Sequence, residues 1–194
     1  NKTPAENAPA NEVPVTADRK TPGVPIPDTV LDWQTALNTF SFLCKNTASR
    51  ADAEAVKGWV DIASYFADAG NSIAGEYESK FAWAESILTA SDSERTAPDG
   101  SSLAAGLYPK QSLNLVQSLE KTIVQDRKLL TDSQSVLASA GRYQEDFSSS
   151  AAVLANSIAR LDALSLSGRS IAERANEGIL LASRAENEGD LRYN

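Results

Sequence analysis

Apolar residues recur at steps of three and four along most of this chain, which is typical of helices with one buried face. The first such run follows Asp28, which offers an N-cap, and predicts a helix from about 29 to 46. A longer run predicts a single helix of about 40 residues with a near-heptad seam and a stutter near Tyr77 to Phe81. Its inward positions are Val56, Trp59, Ala63, Phe66, Gly70, Ile73, Tyr77, Phe81, Ala84 and Leu88.

The pattern is interrupted at residues 90–109, where Pro98-Asp99-Gly100 is a turn signature. A third helix is predicted from about 110, with Leu113, Val116, Leu119, Ile123, Leu130 and Leu137 facing inward. Ser148-Ser149-Ser150 is interpreted as a loop or a solvated turn. The last segment repeats the seam at Tyr143, Phe147, Ala151, Leu154, Ile158, Leu161, Leu164, Gly168, Ile171, Ala175, Ile179, Ala182 and Ala185. Small residues dominate it from Gly168 onward, so we expect close helix approach there.

Residues 1–27 contain six of the eight prolines, which predicts a disordered Pro-rich N-terminal arm that acts as a tether. A docked arm, held through Val13-Pro14-Val15 or Val24-Pro25-Ile26-Pro27, is the alternative. No stretch shows sustained period-2 alternation, so no strand is predicted. The sequence therefore predicts an all-α fold: an elongated antiparallel bundle of three to four long helices over 28–190, with a break at 90–109.

The charge pattern narrows the classes of partner. The chain carries 26 acidic and 18 basic residues, for a net charge of −8, and its densest basic groupings are the pairs Arg19-Lys20 and Arg127-Lys128. This argues against nucleic-acid binding and against adsorption to an anionic membrane. No run of 18 apolar residues is present, so no transmembrane segment is expected. The start without Met in a polar, Pro-rich stretch suggests a processed or truncated chain and an extracytoplasmic or secreted location.

The chain contains no histidine, which removes the commonest general base and the commonest metal ligand. A Ser-His-Asp triad, a Cys/His zinc site and a di-iron Glu-x-x-His motif are all excluded. The carboxylate pairs Glu173/Glu177 and Glu76/Glu78 are expected on solvated faces, and the acidic loop at 92–99 lacks EF-hand spacing. The lone Cys44 is expected to be a buried thiol. The sequence therefore predicts no catalytic, cofactor-binding or metal-binding residues and a protein that is not an enzyme.

One group of apolar residues lies off the long seam. Trp83 falls on a second face of the long helix with Ile87, and Ile62 and Tyr65 belong to that face further toward the N-terminus. Either this helix is central and buries a wide arc, or these four residues form an aromatic patch that binds a protein partner or a second copy of the chain. We take these four as the predicted partner-binding residues.

The leading functional hypothesis is a non-enzymatic extracytoplasmic binding or structural module of the adhesion, secretion-apparatus or adaptor type. In architecture alone the chain resembles long Ala-rich bundles with a free N-terminal arm, which recur among such proteins. A carrier that holds a lipid or other apolar ligand between its helices is the alternative, with an aromatic lining of Phe40, Trp59, Phe66, Tyr77 and Phe81. A membrane-shaping helical dimer is the third hypothesis, and the acidic charge argues against it.

Overall fold

Four α-helices make up almost all of the chain that the structure, a computed structural model, describes: residues 30–47, 53–95, 102–140 and 143–193. Of these residues 95% are helical, and none lies in a strand. The helices are α1 (Val30–Thr47), α2 (Ala53–Arg95), α3 (Ser102–Ala138) and α4 (Ser148–Tyr193). The predicted all-α bundle is confirmed.

Helices α2 and α3 pack antiparallel, as side-chain hydrogen bonds between them show. The Tyr77 hydroxyl donates to the Asp126 carboxylate at 2.7 Å, and the Ser112 hydroxyl donates to the Ala84 carbonyl at 2.8 Å. From the first bond to the second, the residue numbers rise on α2 and fall on α3, so the two helices run in opposite directions.

Helix α4 runs parallel to α2 and therefore antiparallel to α3. The Arg160 guanidinium donates to Asn71 at 2.6 Å, and fourteen residues later on each helix Arg174 donates to Glu85. At 1.5 Å per residue, α2 and α4 are each about 65 to 70 Å long. The three long helices therefore form a rod with up-down-up topology.

The short helix α1 covers one end of this rod. The Trp33 indole nitrogen donates to the Ser133 hydroxyl of α3 at 2.9 Å, and its ring centroid lies 5.4 Å from that of Phe66 on α2. Further along α1, the Phe40 ring lies 5.5 Å from the Phe147 ring, just before α4. Helix α1 thus contacts α2, α3 and the segment just before α4 through its aromatic face.

The buried positions follow most of the predicted seams, with local differences on each long helix, as on α3, where Ser112 is buried and Leu113 is only half-buried. On α2, Ala74 is fully buried whereas Ile73 is only half-buried, so the stutter lies at Gly70 and not near Tyr77 to Phe81. Packing is close at this position, because a Cβ at Gly70 would lie 2.9 Å from a Leu154 methyl. On α4 the buried residue is Gly178 in place of the expected Ile179, and Ala185 is exposed.

The predicted break at 90–109 is too wide. Helix α2 continues to Arg95 and α3 begins at Ser102, so 92–94 are helical and not part of an acidic loop. Pro109 lies inside α3, and its ring is fully buried. A proline there removes one backbone donor, and its buried ring adds apolar contact to the core.

The serine run at 148–150 is also helical, contrary to the expected loop. Ser148 begins α4, and its hydroxyl donates to the Glu145 carbonyl at 2.8 Å, while Ser150 is buried. The arm at 1–27, the N-cap Asp28 and the side chain of Cys44 lie outside the described residues. Within the described ranges, no helix combines the length and the apolar character needed to cross a membrane.

Candidate interaction surface

Trp83 is the most prominent exposed aromatic residue of α2. Its side chain is 63% exposed, and Ile87, one turn further on, is half-buried. The Ser86 hydroxyl donates to the Trp83 carbonyl at 2.9 Å. On the other side, the Lys80 ammonium lies 3.7 Å from the Glu76 carboxylate. Trp83 is therefore an apolar surface placed among polar groups.

The other two predicted partner-binding residues lie elsewhere on α2. Tyr65 is 36% exposed with its ring 6.3 Å from that of Phe66, and Ile62 packs against the core. Eighteen residues, or five helical turns, separate Tyr65 from Trp83, so they share a face about 27 Å apart. The face between them carries exposed Ser72, Glu76 and Ser79. The structure thus brings the four residues together only as two separate pairs.

Sequence reasoning missed several other exposed apolar side chains. They share one property, which is that each lies off the three-four seam of its helix. They are Leu107 and Val124 on α3 and Leu166, Leu180 and Leu181 on α4, between 52% and 65% exposed. The signal in the sequence was their position between seam residues, which places them on the outer faces.

A groove of about 440 Å³ lies between α2 and α4. Its lining residues are Glu78, Phe81, Ala82, Glu85, Leu164, Ser167, Ser170 and Ile171. Next to the lining residue Ser167, a Cβ at Gly168 would be 2.7 Å from the ring of Phe81, which also lines the groove. The two helices are therefore tightly packed beside the groove, and the two glutamates are its charged lining residues.

One ion pair between helices lies beside this groove, and another lies on the opposite face of α4. Arg160 binds both carboxylate oxygens of Glu78 at 2.7 Å, and its guanidinium holds the pKa of Glu78 below its usual range. Arg127 of α3 binds Asp162 of α4 in the same two-point manner and lowers the pKa of that carboxyl. Both pairs are partly solvated, so they contribute more to helix register than to stability.

Two polar groups of the interior have particular surroundings. Burial raises the pKa of Tyr77 to about 12, and the hydrogen bond to Asp126 adds to the rise. The Trp59 indole nitrogen is buried and has no hydrogen-bond partner among the described residues, although its ring stands edge-on to that of Tyr143, 5.3 Å away. Both rings are part of the packed core, so neither group lies in a cleft open to a substrate.

The carboxylates considered for chemistry are not assembled into a site. Glu173, Glu177 and Glu76 are exposed, and Glu78 is held by Arg160. Among the residues that the structure describes, no three His, Cys, Asp or Glu side chains are grouped as a metal site requires. The chain matches no protein-family model, no curated protein and no solved structure.

Proposed function

We propose that this protein is a non-enzymatic binding or structural module that acts through the outer surface of its helices, with Trp83 at the contact. The observation that carries the proposal is the 63% exposure of this tryptophan on a helix that buries the rings of Trp59, Phe66, Tyr77 and Phe81. Exposed aromatic residues of this size are enriched among those that dominate binding energy at protein interfaces. An extracytoplasmic location is part of the proposal, and fractionation of the source cells tests it.

The two alternative functions, a carrier of an apolar ligand and a membrane-shaping dimer, receive less support. A carrier needs space between its helices, but the rings expected to line that space contact other rings. Phe40 packs against Phe147 and Phe66, and Trp59 packs against Tyr143. A membrane-shaping dimer needs a basic face, whereas α2 carries eight acidic and three basic residues. Binding through the helical surface requires neither an internal cavity nor a basic face.

The test compares two exposed apolar residues on different helices. Trp83→Ala is expected to leave the unfolding free energy within about 1 kcal/mol of wild type, because an exposed side chain loses little packing. It is also expected to weaken association, measured by sedimentation velocity for self-association and by quantitative mass spectrometry of proteins retained on the immobilised chain. Leu166→Ala is the matched control, since Leu166 is 65% exposed on α4.

Two results would contradict the proposal. A Trp83→Ala protein as unstable as a core variant would place Trp83 in the packed interior. Equal retention of every bound protein by Trp83→Ala and Leu166→Ala would show that Trp83 has no special part in association.

A further inference from the structure

Helix α1 covers only part of the groove between α2 and α3. Near its start, Trp33 binds Ser133 of α3 and packs against Phe66 of α2, and further along Phe40 packs against Phe147, just before α4. Helix α1 therefore runs from the middle of the rod toward the end at which α4 begins. In the other direction, α2 continues for about 43 Å beyond Phe66, at 1.5 Å per residue. The groove between α2 and α3 thus extends well past α1.

On α2, one stripe of residues passes from under α1 into this uncovered part. Its members, which lie seven residues apart and hence on one face, are Phe66, Ile73, Lys80 and Ile87. Phe66, which contacts α1, is fully buried, whereas Ile73 and Ile87 are half-buried. The Lys80 ammonium lies 5.8 Å from the ring centre of Tyr77, the residue that bonds to α3. The stripe therefore lies on the α3 side of α2.

A stripe of α3 shows the same change of burial. Leu129 is 5% exposed and lies one turn from Ser133, the residue that binds α1. Two heptads away, Leu115 is only half-buried, and Thr122, midway between the two leucines, lies beside Tyr77 of α2. Both stripes therefore present apolar side chains to the groove, and their cover ends where α1 begins.

The segment that leads into α1 has the composition and the length to continue this cover. Residues 21–27, which lie outside the described part of the chain, carry no charge and include Val24, Ile26 and three prolines. In the extended conformation that proline favours, seven residues span about 22 Å, at 3.1 Å per residue. Ile73 and Ile87 are about 21 Å apart along α2. Because α1 begins at Val30, in the middle of the rod, the segment is attached at the point where the cover ends.

We propose that residues 21–27 bind in the groove between α2 and α3 beyond α1, with Val24 and Ile26 on the two apolar stripes. Attachment to α1 holds this segment beside the groove at an effective concentration in the millimolar range, which favours it over a separate molecule. A proline-rich segment also loses little conformational entropy on binding, and grooves with aromatic side chains commonly bind such segments. Trp83, one turn from Ile87 and 63% exposed, lies at the rim. The inference goes beyond the proposed function, since a partner that needs this groove must first displace the segment.

The experiment compares the full ¹⁵N-labelled chain with the variant Val24→Asn/Ile26→Asn. Polar side chains at both positions remove the apolar anchors, so we expect the segment to leave the groove and the amide signals of Ile73, Leu115 and Ile87 to move. Ile87 lies about 31 Å along α2 from the part that α1 contacts, so a change within α1 alone does not reach it. Hydroxyl-radical oxidation of the Leu115 side chain should also become severalfold faster in the variant.

Matched controls locate the effect. Val13→Asn/Val15→Asn makes the same change further from α1, and we expect the three amide signals to stay in place. Benzoylphenylalanine in place of Ile26 is expected to cross-link on illumination to 73–87 of α2 or 115–122 of α3. An equal mixture of ¹⁴N and ¹⁵N chains shows whether each link lies within one chain, as we expect, because a net charge of −8 opposes close approach of two copies. Circular dichroism of each variant checks that the helices are intact.

Unmoved amide signals, equal movement in the two double variants, or cross-links outside both ranges would each overturn the inference. Cross-links that join a ¹⁴N chain to a ¹⁵N chain would assign the groove to a second copy instead. If the segment does not bind in the groove while Trp83→Ala still loses a bound protein, only this inference is wrong. If the segment binds as expected and Trp83→Ala changes no association, the contact at Trp83 is wrong instead.

Discussion

The two ends of the bundle hold their helices together in different ways. At the aromatic end, where α1 covers the rod, the buried side chains are large: Trp33, Phe40, Trp59, Phe66, Tyr143 and Phe147. At the small-residue end, α4 presents Gly168, Ala175, Gly178 and Ala182 to its neighbours. At the first end large rings pack against one another, whereas at the second the small residues of α4 let larger side chains such as Phe81 come close. The packing of the bundle can therefore be destabilised by removing side-chain atoms at the aromatic end and by adding them at the small-residue end.

The largest expected effect is a cavity at the aromatic end. Phe66 is fully buried and contacts the rings of Trp33 and Phe40. Phe66→Ala should lower the unfolding free energy by about 3–5 kcal/mol, because the cavity adds to the loss of apolar burial. Urea unfolding followed by circular dichroism measures it. A loss below about 1 kcal/mol would mean that this end is loosely packed.

A smaller effect is expected from one added methyl group at the small-residue end. Gly168→Ala places a Cβ 2.7 Å from the Phe81 ring, so the ring or the helix must shift, at a cost of about 1–3 kcal/mol. The control is Gly75→Ala, whose Cβ would meet only the Arg160 guanidinium at 3.8 Å. This control should be stabilising by up to about 1 kcal/mol, because alanine favours the helix. Thermal unfolding measures both variants. Similar losses of stability for Gly168→Ala and Gly75→Ala would contradict the contrast between the two ends.

The smallest effect at neutral pH concerns Tyr77, which lies between the two regions. Its pKa is raised to about 12 in the fold, whereas an unfolded tyrosine ionises near 10. The folded state therefore favours the neutral phenol, and the stability that this contributes is present below pH 10 and is lost as the pH rises toward 12. Urea unfolding at several alkaline pH values should show this decline in wild type and a shallower one in Tyr77→Phe. Parallel curves for the two proteins would contradict the prediction.

Much of the fold follows from apolar spacing, because seam residues such as Phe66 and Leu88 are buried where the three-four steps place them. Composition was a poor guide to helix ends. Ser150 and Pro109 favour turns in isolation, yet both are buried inside helices whose packing outweighs local preference. The buried serines were also missed, because a polar side chain predicts exposure. The Ser133 hydroxyl donates to the Leu129 carbonyl and accepts the Trp33 indole hydrogen. The spacing of apolar residues does not predict this arrangement.

The candidate surface was predictable only in part. Trp83 could be identified from the sequence because it lies off the apolar seam. It is exposed, as the interpretation of an aromatic surface patch requires. The groove was not foreseen, because it depends on the register between α2 and α4, which are far apart in the chain. A serine such as Ser167 indicates nothing until it is known to line the same groove as Glu78.

The placement of the three tryptophans makes the protein its own optical probe. Trp33 and Trp59 are 6% and 2% exposed at the aromatic end, whereas Trp83 is 63% exposed on the other half of α2. In the folded protein an aqueous quencher such as iodide therefore reaches Trp83 and leaves the emission of the other two largely intact. Loss of quenching reports that something has covered the outer face of α2, and a red shift of the protected emission reports that the aromatic end has opened. Both events can thus be followed in one unlabelled sample.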